Sequence, residues 1–224
     1  MIECKRLTKI YNKGTPKEVV ALRDVECRVG DGEFVLLMGP SGSGKSTLLA
    51  LMAALTRPTS GKVVVDGEVV SKLPEDFSAL FRHQKIAFIF QKFHLLDDLS
   101  VLENVALPLI PYVRSQKEIE ARARRVMERF LIDHKAHQKV GKLSGGEQQR
   151  VAIARSMIND PPIILADEPT ANLDARLSEQ FMQILRELKR DGRTIVVATH
   201  DPRFLRVDGV DRVLNVREGH VFDA

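Results

Sequence analysis

Four short, almost uninterrupted apolar runs set the tightest limit on how this chain can fold: Phe34–Met38, residues 86–90, residues 163–166 and residues 194–198. A strand with one wet face alternates apolar and polar side chains. A strand that does not alternate is buried on both faces, which places it inside a parallel sheet covered by helices. Other segments carry different patterns. "GKVVVDGEVV", residues 61–70, reads as a hairpin of β-branched runs about Asp66-Gly67, a pair suited to a tight primed turn. Together with residues 2–7 and 25–29 it predicts a small antiparallel sheet. Residues 115–133 are helical in pattern, with Ile119, Ala123, Val126, Met127, Phe130 and Leu131 on one face. Further helices are predicted over residues 144–159, closed by Asp160-Pro161-Pro162, and over Ala175–Arg190, ended by Asp191-Gly192. The stretch 93–155 is therefore mostly helical and inserted between sheet-forming pieces, with no internal repeat.

At 224 residues, 44% apolar and 29% charged, the chain has the balance of an ordinary globular domain. A net charge of +4 suits a polyanionic ligand without selecting one. Arg122, Arg124, Arg125 and Arg129 sit mostly off the apolar face among Glu118, Glu120 and Glu128, without interleaved aromatics. That is the pattern of a solvated face rather than of a nucleic-acid surface. The apolar runs fall far short of the ~20 residues a membrane span needs, and "MIECKRLTKIY" lacks the apolar core of a signal peptide. The expectation is a soluble intracellular protein that reaches a membrane only through a partner. Cys4 and Cys27 have no metal-binding spacing and are expected to be reduced thiols. His134 and His137 stand three apart without carboxylate or thiolate partners, a weak basis for a metal site.

After the first apolar run comes "GPSGSGKST": Gly39, Pro40, Ser41, Gly42, Ser43, Gly44, Lys45, Ser46 and Thr47. It fits G-x-x-x-x-G-K-[ST] between a buried strand and a helical run over residues 47–55, the context that pattern requires. Backbone N–H groups of Ser43 to Thr47 would converge on a β-phosphate at the helix start, with Lys45 reaching the β- and γ-oxygens and Ser46 ligating Mg²⁺. The third run ends in Asp167 and Glu168 at the carboxyl edge of the sheet, where open α/β sheets bind ligands. Asp167 suits a Mg²⁺ shell and Glu168 could polarise a water, although two acids can also cap the turn through Pro169. The fourth run ends at Thr199-His200-Asp201, which puts a histidine at the same edge, able to donate to a γ-phosphate oxygen. A second glycine-rich stretch, "KLSGGEQQR", opens a helix at Ser144, Gly145 and Gly146. Ser144 and Glu147 have capping-box spacing, so a purely structural role also fits it.

With these motifs in this order, nearly the whole chain resembles the ATP-binding subunit of ABC transporters. The resemblance implies an α/β fold: a P-loop NTPase (RecA-like) core with a parallel sheet, a small antiparallel β-subdomain and an inserted α-helical subdomain. It apportions residues 1–30 and 61–72 to the β-subdomain, 31–60, 84–93 and 156–224 to the core, and 94–155 to the helical subdomain. Gly39 to Thr47 match the Walker A loop and the strand ending in Asp167 and Glu168 the Walker B motif. Gln91 in "FIFQKFHLL" matches the Q-loop glutamine that contacts Mg²⁺ and water, the stretch from Ala171 through Asn172 to Asp174 the D-loop, and His200 the switch histidine. Tyr11 stands where the family places a ring against adenine, or else simply ends an edge strand. The resemblance further implies an ATPase whose cofactors are ATP and Mg²⁺. Two copies pair head to tail, so that Ser144, Gly145 and Gly146 of one copy complete the site of the other. The other partner implied is an integral membrane permease, for lipoprotein release or efflux, or an FtsX-like subunit, at the inner face of the membrane, and no nucleic acid. Through an FtsX-like subunit the protein would switch a cell-wall hydrolase in cell division rather than move a substrate. "FHLLDDLSVLENVALPL", "LSGGEQQRVAIAR" and "ILADEPTANLDARLSE" are most like the LolD, MacB and FtsE branch, Ala171 replacing an expected glycine and Glu147 the superfamily's usual glutamine. Chromosome-maintenance ATPases share the motifs but separate them by a long coiled coil, and translation-associated relatives carry two cassettes; neither arrangement is present here.

Overall fold

The computed structural model describes residues 1–171 and 173–223. Its first sheet contains β1 (Ile2–Tyr11), β2 (Val19–Val29), β4 (Ser60–Val65) and β5 (Glu68–Val69), ordered β2-β1-β4-β5 with antiparallel pairing throughout. The hairpin turn lies at Asp66 and Gly67, both at positive φ (50° and 85°), as a primed turn demands. β1 and β2 run longer than their apolar cores because pairing continues through polar residues as far as Tyr11↔Val19.

The second sheet has six strands: β3 (Phe34–Met38), β6 (Ile86–Ile89), β7 (Ile163–Asp167), β8 (Thr194–Thr199), β9 (Arg212–Arg217) and β10 (His220–Asp223), in the order β10-β9-β3-β8-β7-β6. All neighbours are parallel except β10 on β9. The four non-alternating runs are three inner strands, β3, β8 and β7, and the edge strand β6. Their successive residues divide between two faces: Phe34 and Leu36 pack with Ile164, Ala166, Ile195 and Val197, while Val35 and Leu37 pack with Ile163, Leu165, Val196 and Ala198. The first face is covered by α3 (Val101–Ala106), α4 (Gln116–Arg129), α5 (Gly145–Met157) and α6 (Ala175–Arg190). The second is covered by α1 (Lys45–Met52), by the antiparallel sheet and by Phe81 of α2 (Glu75–Lys85). No helix among the described residues is long and apolar enough to cross a membrane.

Helix ends depart from expectation by a few residues, for local reasons. α4 stops at Arg129, before Leu131 turns to positive φ (55°). α1 begins at Lys45, because Gly44 at φ 112° is its N-cap, and ends before Ala54 turns to positive φ (52°). The helix α2, the inner strand β9 and the edge strand β10 were not anticipated. The sequences of α2 and β10 are charged or largely exposed, so apolar periodicity does not mark them, and in β9 only Leu214 and Val216 are buried, an alternation too short to stand out.

The loop from β6 to α3 is organised by one buried side chain. Asn104, fully buried, accepts from Leu96 N (2.8 Å) and donates to the carbonyls of Leu96 (3.0 Å), Leu99 (3.4 Å) and Ser100 (3.0 Å). Asn104→Ala leaves these backbone groups without a partner and is expected to destabilise by about 2 kcal/mol. For a domain of this size that is a fall of roughly 4–8 °C in Tm by calorimetry; an unchanged Tm would show that the loop re-pairs elsewhere.

Candidate active site

Parallel register brings the tips of β3, β7 and β8 to one edge: Met38 lies opposite Thr199, and Asp167 opposite Ala198. The chain leaves β3 into the Gly39–Gly44 turn and enters α1 at Lys45. This turn is moulded by close backbone approach. A Cβ on Gly39 would lie 2.1 Å from the Val216 carbonyl oxygen, and one on Gly44 2.5 Å from that of Ala21. Pro40, Ser41 and Gly42 are exposed, Thr47 is half-buried, and the Ser43 carbonyl accepts from Gly219 N at 3.0 Å. The buried Ser43 Oγ has no hydrogen-bond partner among the described residues. A buried hydroxyl aimed nowhere, beside the start of an eight-residue helix, fits a loop shaped for an anion.

Lys45 is 5% exposed. Its Nζ donates to the carbonyls of Gly39 (2.8 Å) and Pro40 (3.0 Å) and lies 3.5 Å from Glu168 Oε1. The same Glu168 oxygen lies 3.0 Å from His200 Nδ1, and Glu168 Oε2 accepts from His200 N at 3.3 Å. Glu168 itself sits at φ 44°, an uncommon conformation for a non-glycine residue and one that clusters at functional sites. Its backbone is fixed by N–H donation to the Ala198 carbonyl (2.8 Å) and by accepting from Ala171 N (3.1 Å).

Next to it, Ser46 Oγ donates to Asp167 Oδ1 at 2.8 Å. Burial pushes the Asp167 carboxyl up; the Ser46 hydrogen bond opposes this, and the neighbouring Glu168 charge adds to it. A hydroxyl and a carboxylate converging beside a second carboxylate form an oxygen donor set short of positive charge, which fits a hard divalent cation. Gln91, exposed, follows the tip of β6, the strand beside β7. Lys45, Ser46, Asp167, Glu168 and His200 are thus brought into direct contact.

The remaining expected residues lie apart from that cluster. Tyr11 ends β1, 39% exposed, with Lys9 Nζ 4.9 Å from its ring centroid. Asp174 caps α6, its carboxylate accepting from Leu177 N at 2.8 Å; Asn172, in the same stretch, lies outside the described residues. Ser144 caps α5 and closes a reciprocal capping box with Glu147: Ser144 N donates to Glu147 Oε2 at 2.9 Å, and Glu147 N to Ser144 Oγ at 3.4 Å. Ser144 and Gly145 are exposed, and nothing would obstruct a Cβ at Gly145. Gly146 differs: it is buried, and a Cβ there would meet the Leu177 side chain at 2.6 Å. One of the two glycines is therefore favoured by packing of α5 on α6 within the same chain, where a larger residue would have to push the Leu177 side chain aside.

Two side chains were not picked out from the sequence. Asp201 accepts from Thr170 Oγ1 (3.4 Å) and from Arg203, joining the end of β8 to the turn after Glu168. Gln149, 3% exposed, donates to the Pro169 carbonyl at 2.5 Å. Asp201 stands next to a suspected residue, a signal that was available. Gln149 is one glutamine among polar neighbours, and only the three-dimensional structure distinguishes it. A hollow of about 690 Å³ lies between α4 and the end of α2, lined by Arg122, Arg125, Arg129 and Asn159. None of the residues expected to bind nucleotide lines it.

The arrangement of a glycine loop, a buried lysine and carboxylates at neighbouring strand tips has matching relatives. The ABC transporter family profile matches residues 22–171. The chain belongs to the ABC transporter family. It is 44% identical over 221 residues to an uncharacterised ABC transporter ATP-binding protein of Thermotoga maritima, covering 99% of this chain and 93% of that one. It is likewise 44% identical over 227 residues to the uncharacterised ABC transporter ATP-binding protein MJ0796 of Methanocaldococcus jannaschii, covering 99% and 95%. The solved structure of the ATP-binding cassette MJ0796, a dimer in a post-hydrolysis state bound to ADP and Pi, superposes with a TM-score of 0.90 at 43% identity, over 99% of this chain and 96% of that one. CbiO1 of Clostridium perfringens, part of the ABC transporter complex CbiONQ, superposes with a TM-score of 0.85 at 28% identity over 99% and 86%. The chain is accordingly an ATP-binding cassette with ATPase activity, built on the α/β fold expected of it.

The packing role of Gly146 can be separated from any ligand role. Gly146→Ala is expected to lower stability by about 1–3 kcal/mol through overpacking, and Gly146→Ala with Leu177→Ala to recover much of that loss. A double-mutant cycle in urea reads the coupling; strictly additive losses would exclude the Leu177 contact as the cause.

Proposed function

We propose that two copies of this cassette close head to tail around ATP and Mg²⁺, and that closing and hydrolysis drive an integral membrane partner. That partner is of the permease kind served by LolD and MacB, or an FtsX-like subunit served by FtsE. The observation that carries the first part is an asymmetry within one chain. Lys45, Ser46, Asp167, Glu168 and His200 form one contact network, whereas Ser144, held by its capping box with Glu147, and Gly145 stand exposed at the start of α5, away from that network. Half of a phosphate site is assembled, and the other half is presented outward. The dimer of the MJ0796 cassette with ADP and Pi supports carrying this reading to the present chain. Isologous pairing then makes two identical composite sites from one surface.

In this reading the loop N–H groups and Lys45 hold the β- and γ-phosphates, with Tyr11 against the adenine. Ser46, Asp167 and Gln91 would hold Mg²⁺, which when bound neutralises charge on the phosphate oxygens. Glu168 accepts a proton from the water that attacks the γ-phosphorus in line, and the bond to the ADP oxygen breaks. Its fixed, uncommon backbone conformation aims the carboxylate without reorganisation at the moment of reaction. His200 and Gln91 orient the water and the γ-phosphate, and Ser144, Gly145 and Gly146 of the second copy, with its Asp174 nearby, close the site. The cassette would sit on the cytoplasmic face of the membrane through its partner, without nucleic acid.

Glu168→Gln keeps the shape of the side chain and removes the base. It is expected to bind ATP normally, to turn over more slowly by a factor of about 10² or more, and to elute as a dimer with MgATP in gel filtration. A monomer at saturating MgATP would reject the sandwich. Mixed Ser144→Arg and Lys45→Ala subunits form heterodimers with one intact and one doubly damaged site. Recovered ATPase activity is expected on mixing, and none at any ratio would count against completion of the site by the second copy.

A further inference from the structure

The exposed end of α5 is rigidly joined to the turn that carries Glu168. One joint makes this connection directly, and another holds α5 against α6. Gly146 seats directly on Leu177, in the first turn of the helix capped by Asp174. One helical turn further on, Gln149 Nε2 donates to the carbonyl of Pro169, the residue after Glu168. The donor is 3% exposed and the acceptor residue is buried, so water cannot replace either group if the bond breaks. Arg150 adds a third tie from the same turn of α5, donating to Gln180 of α6 at 2.8 Å.

The turn held by Gln149 is itself closed. Ala171 N donates to the Glu168 carbonyl and Leu173 N to that of Thr170, both at 3.1 Å, and Thr170 Oγ1 reaches Asp201 beside His200. Displacement of Glu168 or His200 therefore has a short route to α5 whose last link is buried, and Gln149 is the one side chain of α5 that engages the turn by hydrogen bond among the described residues.

We propose that Gln149 is a positioning residue that sets the exposed Ser144–Gly145 end of α5 according to the state of the Glu168 turn in the same chain, and so couples the two composite sites of the dimer. The inference rests on the head-to-tail dimer proposed above. In that dimer, each chain's Glu168 serves one nucleotide and its Ser144 the other. A rigid connection between the two within one chain makes the chemistry at one site felt at its twin, with no contact between the nucleotides themselves.

The test substitutes Gln149→Met, which preserves length and helix preference and deletes the donor. Titration of a fluorescent ATP analogue into the monomer should give affinity within about two-fold of the unsubstituted protein, since the hydrogen bond is remote from the loop of Lys45. Steady-state ATPase should fall about ten-fold or more through misplaced groups, and the Hill coefficient for ATP should drop from above one toward one. In the Glu168→Gln background, dimerisation in MgATP should require more nucleotide when Gln149→Met is added. A purely structural role would lower Tm and leave the Hill coefficient where it was, and that result overturns the proposal. If Glu168→Gln alone fails to dimerise, the dimer reading falls and this inference with it; if it dimerises and Gln149→Met changes neither the nucleotide requirement nor cooperativity, only the inference falls. Should Gln149→Met not fold, Gln149→Ser, whose hydroxyl is too short to reach Pro169, is read by the same three measurements.

Discussion

The registered parallel pairing of β3, β8 and β7 is the constraint on which everything else depends. A lysine after one strand lies more than a hundred residues of chain from an acid pair at the tip of a second and a histidine after a third, and they touch because the three strands end at one edge. The register holds because each strand is buried on both faces. A slip by one residue would exchange Val35 and Leu37 with Phe34 and Leu36 and put every side chain into the wrong core. Site geometry is thus fixed by hydrophobic packing beneath it rather than by the polar contacts within it.

Those polar contacts are costly to assemble. Lys45 is almost wholly desolvated and the adjacent Asp167 and Glu168 crowd two carboxylates together, an arrangement that would be unfavourable without compensation. Two loop carbonyls and Glu168 satisfy the ammonium group, and Ser46 satisfies Asp167. The same groups are the ones that phosphate and a divalent cation would engage. Binding therefore exchanges one set of partners for another in a pre-shaped site, with little new ordering of the chain.

Much of this was legible in the sequence, and for definite reasons. The four apolar runs announced doubly buried strands, Asp66-Gly67 announced its turn, and the helix Ala175–Arg190 was readable to the residue, because each rests on local chemistry. The cluster of Lys45, Asp167, Glu168 and His200 was legible because strand tips in such sheets converge. Asn104, Gln149 and Asp201 were not, because their importance arises from backbone groups far along the chain or across a loop. Gly146 was read as open to phosphate, and its packing against Leu177 shows why spacing alone cannot tell a ligand's need from a neighbour's. The strand β10 hid because an exposed edge requires no apolar alternation, and β9, although an inner strand, because its buried Leu214 and Val216 alternate over only a few residues.

The unobstructed space around Gly145 bears on how drifting relatives should be read. Were such a cassette to lose its enzymatic task, Gly39 and Gly44 would persist, pinned by the carbonyls of Val216 and Ala21, and Gly146 would be held more loosely by the movable side chain of Leu177. Nothing inside the protomer would defend the glycine at 145. Under the proposed head-to-tail dimer, its loss with Gly39 and Gly44 intact would mark a cassette that keeps its shape but has stopped meeting a nucleotide held by another molecule.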